Sequence, residues 1–283
     1  MVSMIKLFFF ALAVIAHLES YADYASARLA MEDTSNPLML VSTSAGPIYI
    51  EMLPAEAPEN VARFIEFTVG EVPLVETDAT STASPRYYNG SRFHRVIPNF
   101  VIQAGSPEHH AQGHPRDYLA DEINASALGL DRLPVLLQAG EINPILNTDS
   151  QQEFARRVLE PLYRQLGIDS SEHLETEEST IIDALQSLTV MRLYEYEGYR
   201  YQDRYPTRAI TRGIVALAND GPNRNGPEFF ITLSDAPWLD GRYTVIGRVV
   251  EGMETADHIG SKPIQPVNPD AESTSIYSIR KLN

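Results

Sequence analysis

The stretch Ser91-Arg-Phe-His-Arg-Val-Ile-Pro-Asn-Phe-Val-Ile-Gln-Ala-Gly105 decides the fold of this chain. It contains two β-rich runs, 92–96 and 100–104, separated by Ile97-Pro98-Asn99. Short apolar runs on either side of a Pro-Asn pair are typical of two strands joined by a turn. The stretch therefore predicts a β-hairpin.

Further short strands are predicted on both sides of this hairpin. The sequence indicates them at 38–42, 47–53, 213–218, 228–233, 244–249 and 275–280, with helices at 58–69 and 253–259. Pro58 suits the first turn of a helix and Gly70 its end. Many short strands at even spacing with few helices are typical of a barrel. The fold class is thus mainly β: a closed antiparallel β-barrel with flanking helices.

Residues 128–208 interrupt this β pattern and are predicted to be helical. Ser150 and Glu153 have the spacing of a capping box, Gly167 ends the first helix and Pro161 is expected to kink it. A second capping pair, at 180 and 183, precedes another amphipathic run. We interpret 128–208 as an inserted α-helical subdomain within a domain that spans 37–283. Because its replacement by a short linker removes none of the barrel strands, we expect the barrel to fold without it.

The N-terminus has the pattern of a secretory signal peptide. Lys6 precedes an apolar run, 7–18, and small residues stand at Ser20 and Ala22. About twelve apolar residues are too few to span a bilayer core of about 30 Å. The sequence therefore predicts a signal peptide at 1–22, a polar tether at 23–36, and a mature protein without membrane insertion, exported to the bacterial periplasm.

Composition excludes several classes of function. The formal net charge is −16, which disfavours nucleic acid as a partner. Cysteine is absent, so disulfides and thiol chemistry are excluded. His109, His110 and His114 have metal-ligand side chains, but no matching acidic set follows them, and we predict neither a metal nor a cofactor. No nucleophile context typical of a hydrolase is present.

Four ordered segments identify a family resemblance. The stretch 91–105 resembles the catalytic box of the cyclophilins. A second sequence box of the cyclophilins resembles the stretch Gly213-Ile-Val-Ala-Leu-Ala-Asn-Asp-Gly-Pro-Asn-Arg-Asn-Gly-Pro-Glu-Phe-Phe-Ile231. Trp238-Leu-Asp-Gly-Arg-Tyr243 and Val245-Ile-Gly-Arg-Val-Val-Glu-Gly-Met253 follow in the family's order. The resemblance implies a peptidyl-prolyl cis-trans isomerase, which rotates X-Pro peptide bonds in peptides and in unfolded or exported proteins without a cofactor.

The resemblance also implies the residues of the site. Arg95 would donate a hydrogen bond to the prolyl nitrogen, and Gln103 would either orient the Arg95 guanidinium or grip the substrate backbone. A Trp at position 238 further implies binding of cyclosporin. The predicted catalytic residues are Arg95, Phe100 and Gln103, and the predicted substrate-binding residues are Val101, Ala218, Asn219, Glu228, Phe230, Trp238, Leu239 and Tyr243.

The chain departs from the family pattern at four matched positions. Val101, Ala104 and Tyr243 stand where Met, Gly and, in eukaryotic members, His are common, and they keep the pocket apolar or aromatic. Glu228 stands where Gln is usual. A carboxylate beside Arg95 is expected to join its hydrogen bonds and compete with substrate, so that Glu228→Gln raises kcat/KM. The alternative function is a weakly active or non-catalytic binding module that holds partners through the helical insertion.

Overall fold

An eight-stranded antiparallel sheet forms the framework of the protein. The computed structural model describes residues 22–72, 74–75, 86–106, 114–115, 117–138, 140–264 and 273–282. The order of the strands is β10-β1-β2-β9-β7-β8-β5-β4, and β3 and β6 pair separately. The strands are β1 (Leu38–Thr43), β2 (Gly46–Met52), β3 (Leu74–Val75), β4 (Phe93–Ile97), β5 (Val101–Ala104), β6 (His114–Pro115), β7 (Ile214–Leu217), β8 (Phe229–Thr232), β9 (Val245–Glu251) and β10 (Ile276–Leu282).

The predicted hairpin is confirmed by β4 and β5. Ile97 pairs with Val101 and Arg95 with Gln103. The turn between them closes with a hydrogen bond of 3.1 Å from the Phe100 N–H to the Ile97 carbonyl. Asn99 adopts a φ of 57°, in the left-handed region that asparagine tolerates better than most residues. Turn chemistry therefore sets the register that brings Arg95 beside Gln103.

The mainly β fold is confirmed, whereas complete closure of the barrel is not. The ladder ends at β4 and β10, which meet through an isolated bridge between Arg92 and Ser275. Further along β4, Val96 exchanges two backbone hydrogen bonds with Ile264, of 2.7 and 3.1 Å. The segment after the last helix thus occupies part of the β4 edge, and within the described residues no continuous ladder joins β4 to β10.

Two helices cover the sheet and bury its main hydrophobic core. They are α2 (Pro58–Val69) and α8 (Met253–Gly260). Phe64 of α2 packs on Tyr88 and meets Phe229 of β8 edge-on, with ring centroids 5.1 and 5.5 Å apart. As predicted, α2 starts with a proline in its first turn and ends at Gly70, which has a φ of 82°.

The predicted tether contains a helix that packs on the sheet. This helix, α1 (Tyr24–Leu29), buries Ala27 beside Tyr49 of β2. The buried carboxylate of Glu51 accepts hydrogen bonds from the backbone N–H groups of residues 32 and 33, each 3.0 Å long. Polar composition suggested an independent segment, but these partners hold 23–36 against β2. Residues 1–21 of the predicted signal peptide lie outside the described residues.

The segment predicted to be helical contains five α-helices between β6 and β7. It has its own hydrophobic cluster, which includes Leu130, Val158 and Leu193. No helix in the described part of the chain has the length and apolar character needed to cross a membrane. The five helices are α3 (Gln151–Phe154), α4 (Glu160–Leu166), α5 (Ser171–Thr176), α6 (Glu178–Ser187) and α7 (Val190–Tyr196).

The predicted helix boundaries are partly correct. Ser150 caps α3 by accepting the Glu153 N–H at 3.1 Å, and a π-helical turn at 155–159 precedes Pro161. Proline has no N–H to offer the carbonyl four residues earlier, and the wider turn accommodates that missing bond. The predicted cap at Thr180 is wrong. Thr180 lies inside α6, because α5 continues almost directly into it.

Candidate active site

Three neighbouring strands bring the predicted polar residues to one face of the sheet. Arg95 of β4 faces Gln103 of β5, and Gln103 faces Phe230 of β8. Residues directly opposite in an antiparallel pair project to the same side. The Arg95 guanidinium donates through Nη1 to the Gln103 Oε1 at 2.7 Å. Gln103 therefore holds the guanidinium that the sequence identified.

Glu228 and His94 extend this hydrogen-bonded chain. The Gln103 Nε2 donates to the Glu228 Oε1, and the His94 Nε2 lies 3.0 Å from the same oxygen. An ionised carboxylate only accepts hydrogen bonds, so an ionised Glu228 would bind the His94 tautomer that carries its proton on Nε2. Gln103 consequently lies between Arg95 and Glu228. The carboxylate joins the network as expected, but through the amide.

A hydrophobic cluster separate from the main core lies beside this network. Phe100 packs on Trp238 with centroids 5.7 Å apart, and Phe230 meets Tyr243 at 5.4 Å with rings 88° apart. The Phe230–Tyr243 contact is edge-to-face and the Phe100–Trp238 contact is tilted, and both arrangements are favourable for aromatic pairs. The cluster contains all of the apolar residues predicted for the site, namely Phe100, Val101, Ala218, Phe230, Trp238, Leu239 and Tyr243.

Ala218 and Asn219 follow β7 and border the same site. The Ala218 N–H donates to the Glu228 carbonyl at 2.8 Å. The Asn219 side chain donates to the Arg242 carbonyl at 3.1 Å and accepts from the Gly221 N–H at 3.2 Å. The side-chain amide of Asn219 is thus hydrogen-bonded within the protein. A pocket of about 100 Å³ opens here, lined in part by Gln103, Ala218, Asn219 and Glu228.

The loop 236–243 supplies three of the predicted substrate-binding residues and is anchored from two sides. The Asp240 carboxylate accepts the Ile210 N–H at 2.7 Å, and burial raises the pKa of Asp240 to about 6. From the helical segment, the Tyr201 hydroxyl donates to the Gly241 carbonyl at 2.9 Å. The position of the loop therefore depends on both parts of the molecule.

Two features of the site were missed at the sequence level. His94 is not among the residues predicted for the site, although its place beside Arg95 in the Phe-His-Arg box is a usable signal. The second feature is a cleft of about 400 Å³ between the helical segment and the loop 236–243. It is lined by Arg156, Arg157, Pro161, Arg164, Glu197, Trp238, Leu239, Arg242 and Tyr243.

The predicted absence of a metal stays a prediction. Among the described residues, no group of three or more His, Asp or Glu side chains is placed to hold a metal ion. The side chains of His109, His110 and His114 lie outside that part of the chain. The polar network at the site consists instead of an arginine, an amide, a carboxylate and an imidazole.

The chain is similar in sequence to known proteins. Residues 38–281 match the family model described as cyclophilin type peptidyl-prolyl cis-trans isomerase/CLD. Peptidyl-prolyl cis-trans isomerase B of Streptomyces anulatus is 25% identical over 230 residues, covering 80% of this chain and 85% of the relative. Human peptidyl-prolyl cis-trans isomerase-like 3 is 44% identical over 69 residues, covering 24% of this chain and 43% of the relative.

A search of solved structures found a further likeness. The crystal structure of a Cryptosporidium parvum cyclophilin type peptidyl-prolyl cis-trans isomerase has a TM-score of 0.48 and 19% identity, and the match covers 88% of this chain and 98% of that one. A second crystal structure of that protein, in the presence of the dipeptide Ala-Pro, has a TM-score of 0.48 and 18% identity, covering 87% and 99%.

Proposed function

This chain belongs to the cyclophilin-type peptidyl-prolyl cis-trans isomerase family, and we propose that it rotates X-Pro peptide bonds in the groove beside Arg95. The observation that carries the proposal is the Arg95–Gln103 hydrogen bond at the margin of the apolar cluster. It combines a fixed cation with a surface that suits a proline ring. Its substrates are proline-containing peptides and unfolded proteins.

The barrier that must be lowered is that of amide resonance. Twisting a peptide bond costs about 18–20 kcal/mol, and an uncatalysed X-Pro bond exchanges over about tens to hundreds of seconds. A turnover of about 10³ per second requires lowering such a barrier by about 7 kcal/mol. Stabilising the twisted amide achieves this without a nucleophile.

Arg95 is suited to act on the twisted amide and not on the planar amide. At the 90° geometry the prolyl nitrogen loses conjugation and gains a lone pair that accepts a hydrogen bond. A guanidinium held in advance stabilises that state more than the planar one. Gln103 holds the guanidinium through its oxygen, which leaves other N–H groups of Arg95 for the substrate.

The apolar cluster fixes the direction of the substrate. The proline ring packs among Phe100, Phe230 and Leu239, and Tyr243 closes the pocket against Phe230. The residue before proline lies beside Ala218 and Asn219, at the small pocket. The peptide therefore runs from this pocket, across the cluster, towards Trp238.

A protease-coupled assay with a cis-proline tetrapeptide tests the proposal. Arg95→Ala is expected to lower kcat/KM about a hundredfold, since one preorganised donor is worth about 2.7–4 kcal/mol. Arg92→Ala, in the same segment but outside the site, serves as the matched control. Near-normal turnover of Arg95→Ala would rule out the assigned role. If the wild type bound the peptide without accelerating its isomerisation, the alternative of a binding module would be favoured. The additional helical segment is the observation that supports this alternative.

Binding of cyclosporin follows from the same groove. Trp238 is half-buried and packs on Phe100, so a ligand over this pair changes the surroundings of the indole. It is the only tryptophan in the chain, which makes its fluorescence a direct report. We expect the Trp238 fluorescence to be quenched or enhanced saturably on titration with cyclosporin. The same titration of Trp238→Phe serves as the blank.

Export to the periplasm is the remaining part of the proposal. Its support is the charged, apolar and small-residue pattern of 1–22. Exported, unfolded chains are then the natural substrates. N-terminal sequencing of the protein from a periplasmic fraction tests this, with Asp23 as the expected first residue. A mature protein that still begins at Met1 would contradict it.

A further inference from the structure

We infer that the cleft beside the proline pocket binds an acidic side chain that follows the proline, and so selects substrates with a carboxylate there. This inference rests on the proposed function. The cleft lies between α3–α4, the end of α7 and the loop 236–243, and has a volume of about 400 Å³. Its wall includes Trp238, Leu239 and Tyr243, which also belong to the apolar cluster of the groove.

The charge of the cleft is opposite to that of the protein. The chain has a formal net charge of −16. Four guanidinium groups and one carboxylate, that of Glu197, line the cleft, which gives it a formal charge of +3. Burial raises the pKa of the Glu197 carboxyl although all four arginines oppose that change. The four positive charges therefore converge on one place.

Two of these arginines, Arg157 and Arg164, form no ion pair within 4 Å among the described residues, although both lie close enough to Glu197 to favour its ionised form. Arg157 donates to the Asn147 carbonyl at 3.1 Å, and Arg164 to the Glu160 carbonyl at 3.4 Å. A main-chain carbonyl orients a guanidinium but carries no net charge. Both groups therefore keep the capacity to pair with a carboxylate.

The other two arginines already have acidic partners. Arg242 lies 3.4 Å from Glu197 and stacks over the ring of Tyr194, 5.3 Å from its centroid. Arg156 lies 3.8 Å from Glu153. These pairs fix the floor and edge of the cleft. The ligand's carboxylate is consequently expected to meet Arg157 and Arg164.

The direction of the peptide determines which residue reaches this cleft. The small pocket at Ala218 and Asn219 takes the residue before proline, and it shares no lining residue with the cleft. The chain that leaves the proline pocket past Trp238 and Tyr243 enters the cleft. One extended residue advances about 3.3–3.6 Å, so the carboxylate belongs to the first or second residue after proline.

Exchange NMR on capped peptides tests this without requiring a particular residue after proline. Acetyl-Ala-Ala-Pro-Xaa-Ala-amide and acetyl-Ala-Ala-Pro-Ala-Xaa-amide are compared with Xaa as Glu or Gln, and the amide cap removes the terminal carboxylate. In low salt we expect kcat/KM about tenfold higher for Glu than for Gln at one of the two positions, equivalent to about 1.4 kcal/mol. In 1 M NaCl, where the Debye length is about 3 Å, this ratio should fall below about three.

Variants locate the source of the preference. In Arg157→Gln/Arg164→Gln the Glu-to-Gln ratio is expected to fall towards one, because glutamine retains a donor for the carbonyls but no charge. Arg132→Gln is the matched control: this side chain is 78% exposed on the same helical segment, outside the cleft lining, and its loss should leave the ratio unchanged. Acetyl-Ala-Glu-Pro-Ala-Ala-amide, with the acid before proline, should show no dependence on Arg157 and Arg164.

The outcomes separate this inference from the proposed function. If the wild-type protein accelerated the isomerisation of none of these peptides, the proposed function would be refuted. Equal kcat/KM for the Glu and Gln peptides in wild type, or an unchanged ratio in the folded double variant, would overturn the inference while leaving isomerase activity intact. If the double variant does not fold, Arg157→Gln and the salt dependence of the wild-type ratio decide the matter, and a ratio insensitive to salt overturns it.

Discussion

Glu228 is the position at which two descriptions of the site predict opposite results. If its carboxylate competes with substrate for Arg95, its removal by either Ala or Gln raises kcat/KM. The structure places the Gln103 amide between the two groups, with its oxygen towards Arg95 and its nitrogen towards Glu228. Glu228 then acts as a positioning residue, because an acceptor at this point selects the orientation of the amide that holds the guanidinium.

The size of the effect follows from the bond that would be lost. A hydrogen bond to a charged group contributes about 1.5–3 kcal/mol, and a neutral one about 0.5–1.5 kcal/mol. Glu228→Ala removes the acceptor for both Gln103 and His94, so kcat/KM is expected to fall about ten- to a hundredfold. Glu228→Gln still offers an amide oxygen, and we expect it to retain kcat/KM within about fivefold of wild type.

The assay is tetrapeptide isomerisation with kcat and KM determined separately. Loss of a positioned guanidinium should appear mainly in kcat, since the proline pocket is untouched. Glu66→Ala, which removes a partly exposed ion pair with Arg63 on α2, is the control and should match the wild type. A rate increase in Glu228→Ala would refute the positioning argument and restore the competition that the sequence alone suggested.

Three further predictions concern the loop 236–243 and its supports. Tyr201→Phe removes the donor to the Gly241 carbonyl and should lower the free energy of unfolding by about 0.5–1.5 kcal/mol and raise KM, measured by urea titration and kinetics. Replacing 130–207 with a Gly-Ser linker should lower tetrapeptide turnover in a protein whose circular dichroism still shows the sheet; undiminished turnover would mean that the loop holds its shape alone. Asp240, with its pKa raised from 3.8 to about 6, destabilises the fold as pH rises through that window, because the folded state retains its proton longer than the unfolded chain. Asp240→Asn keeps an oxygen for the Ile210 N–H. Its free energy of unfolding should therefore exceed that of the wild type by an amount that grows to about 3 kcal/mol between pH 4 and pH 8. A difference in unfolding free energy that stays constant across that range would contradict the assignment.

Local chemistry was sufficient to predict the hairpin that carries Arg95. The turn residues Pro98 and Asn99 and the alternation on either side specify which residues face each other. Once Arg95 and Gln103 are partners in an antiparallel pair, their contact needs no information from the rest of the chain. The family resemblance then implied seven residues of the apolar cluster, but not its other members, such as Leu53 and Ile210.

Contacts between distant segments could not be predicted in this way. The amphipathic pattern at 154–166 shows that one helix face is buried, but not which surface covers it. Arg157 and Arg164 lie on this helix, while Glu197 and Arg242 come from elsewhere in the chain. Only folding brings these charges to one cleft. The packing of α1 on β2 was missed for a similar reason, since the buried acceptor at Glu51 that holds its flank is invisible in the composition.

The loop 236–243 explains why the helical segment and the groove should not be independent. Gly241 has a φ of 78°, and a Cβ there would collide with the side chain of Leu130 and touch the ring of Tyr194. The backbone of the loop is thus fitted against the helical segment at Gly241, while Asp240 binds the Ile210 N–H. We expect a movement of that segment to shift Gly241, and with it the neighbouring residues of the proposed proline pocket. Occupation of the arginine cleft by a carboxylate would tighten the same contacts, so selection of a substrate and alignment of its proline would occur together.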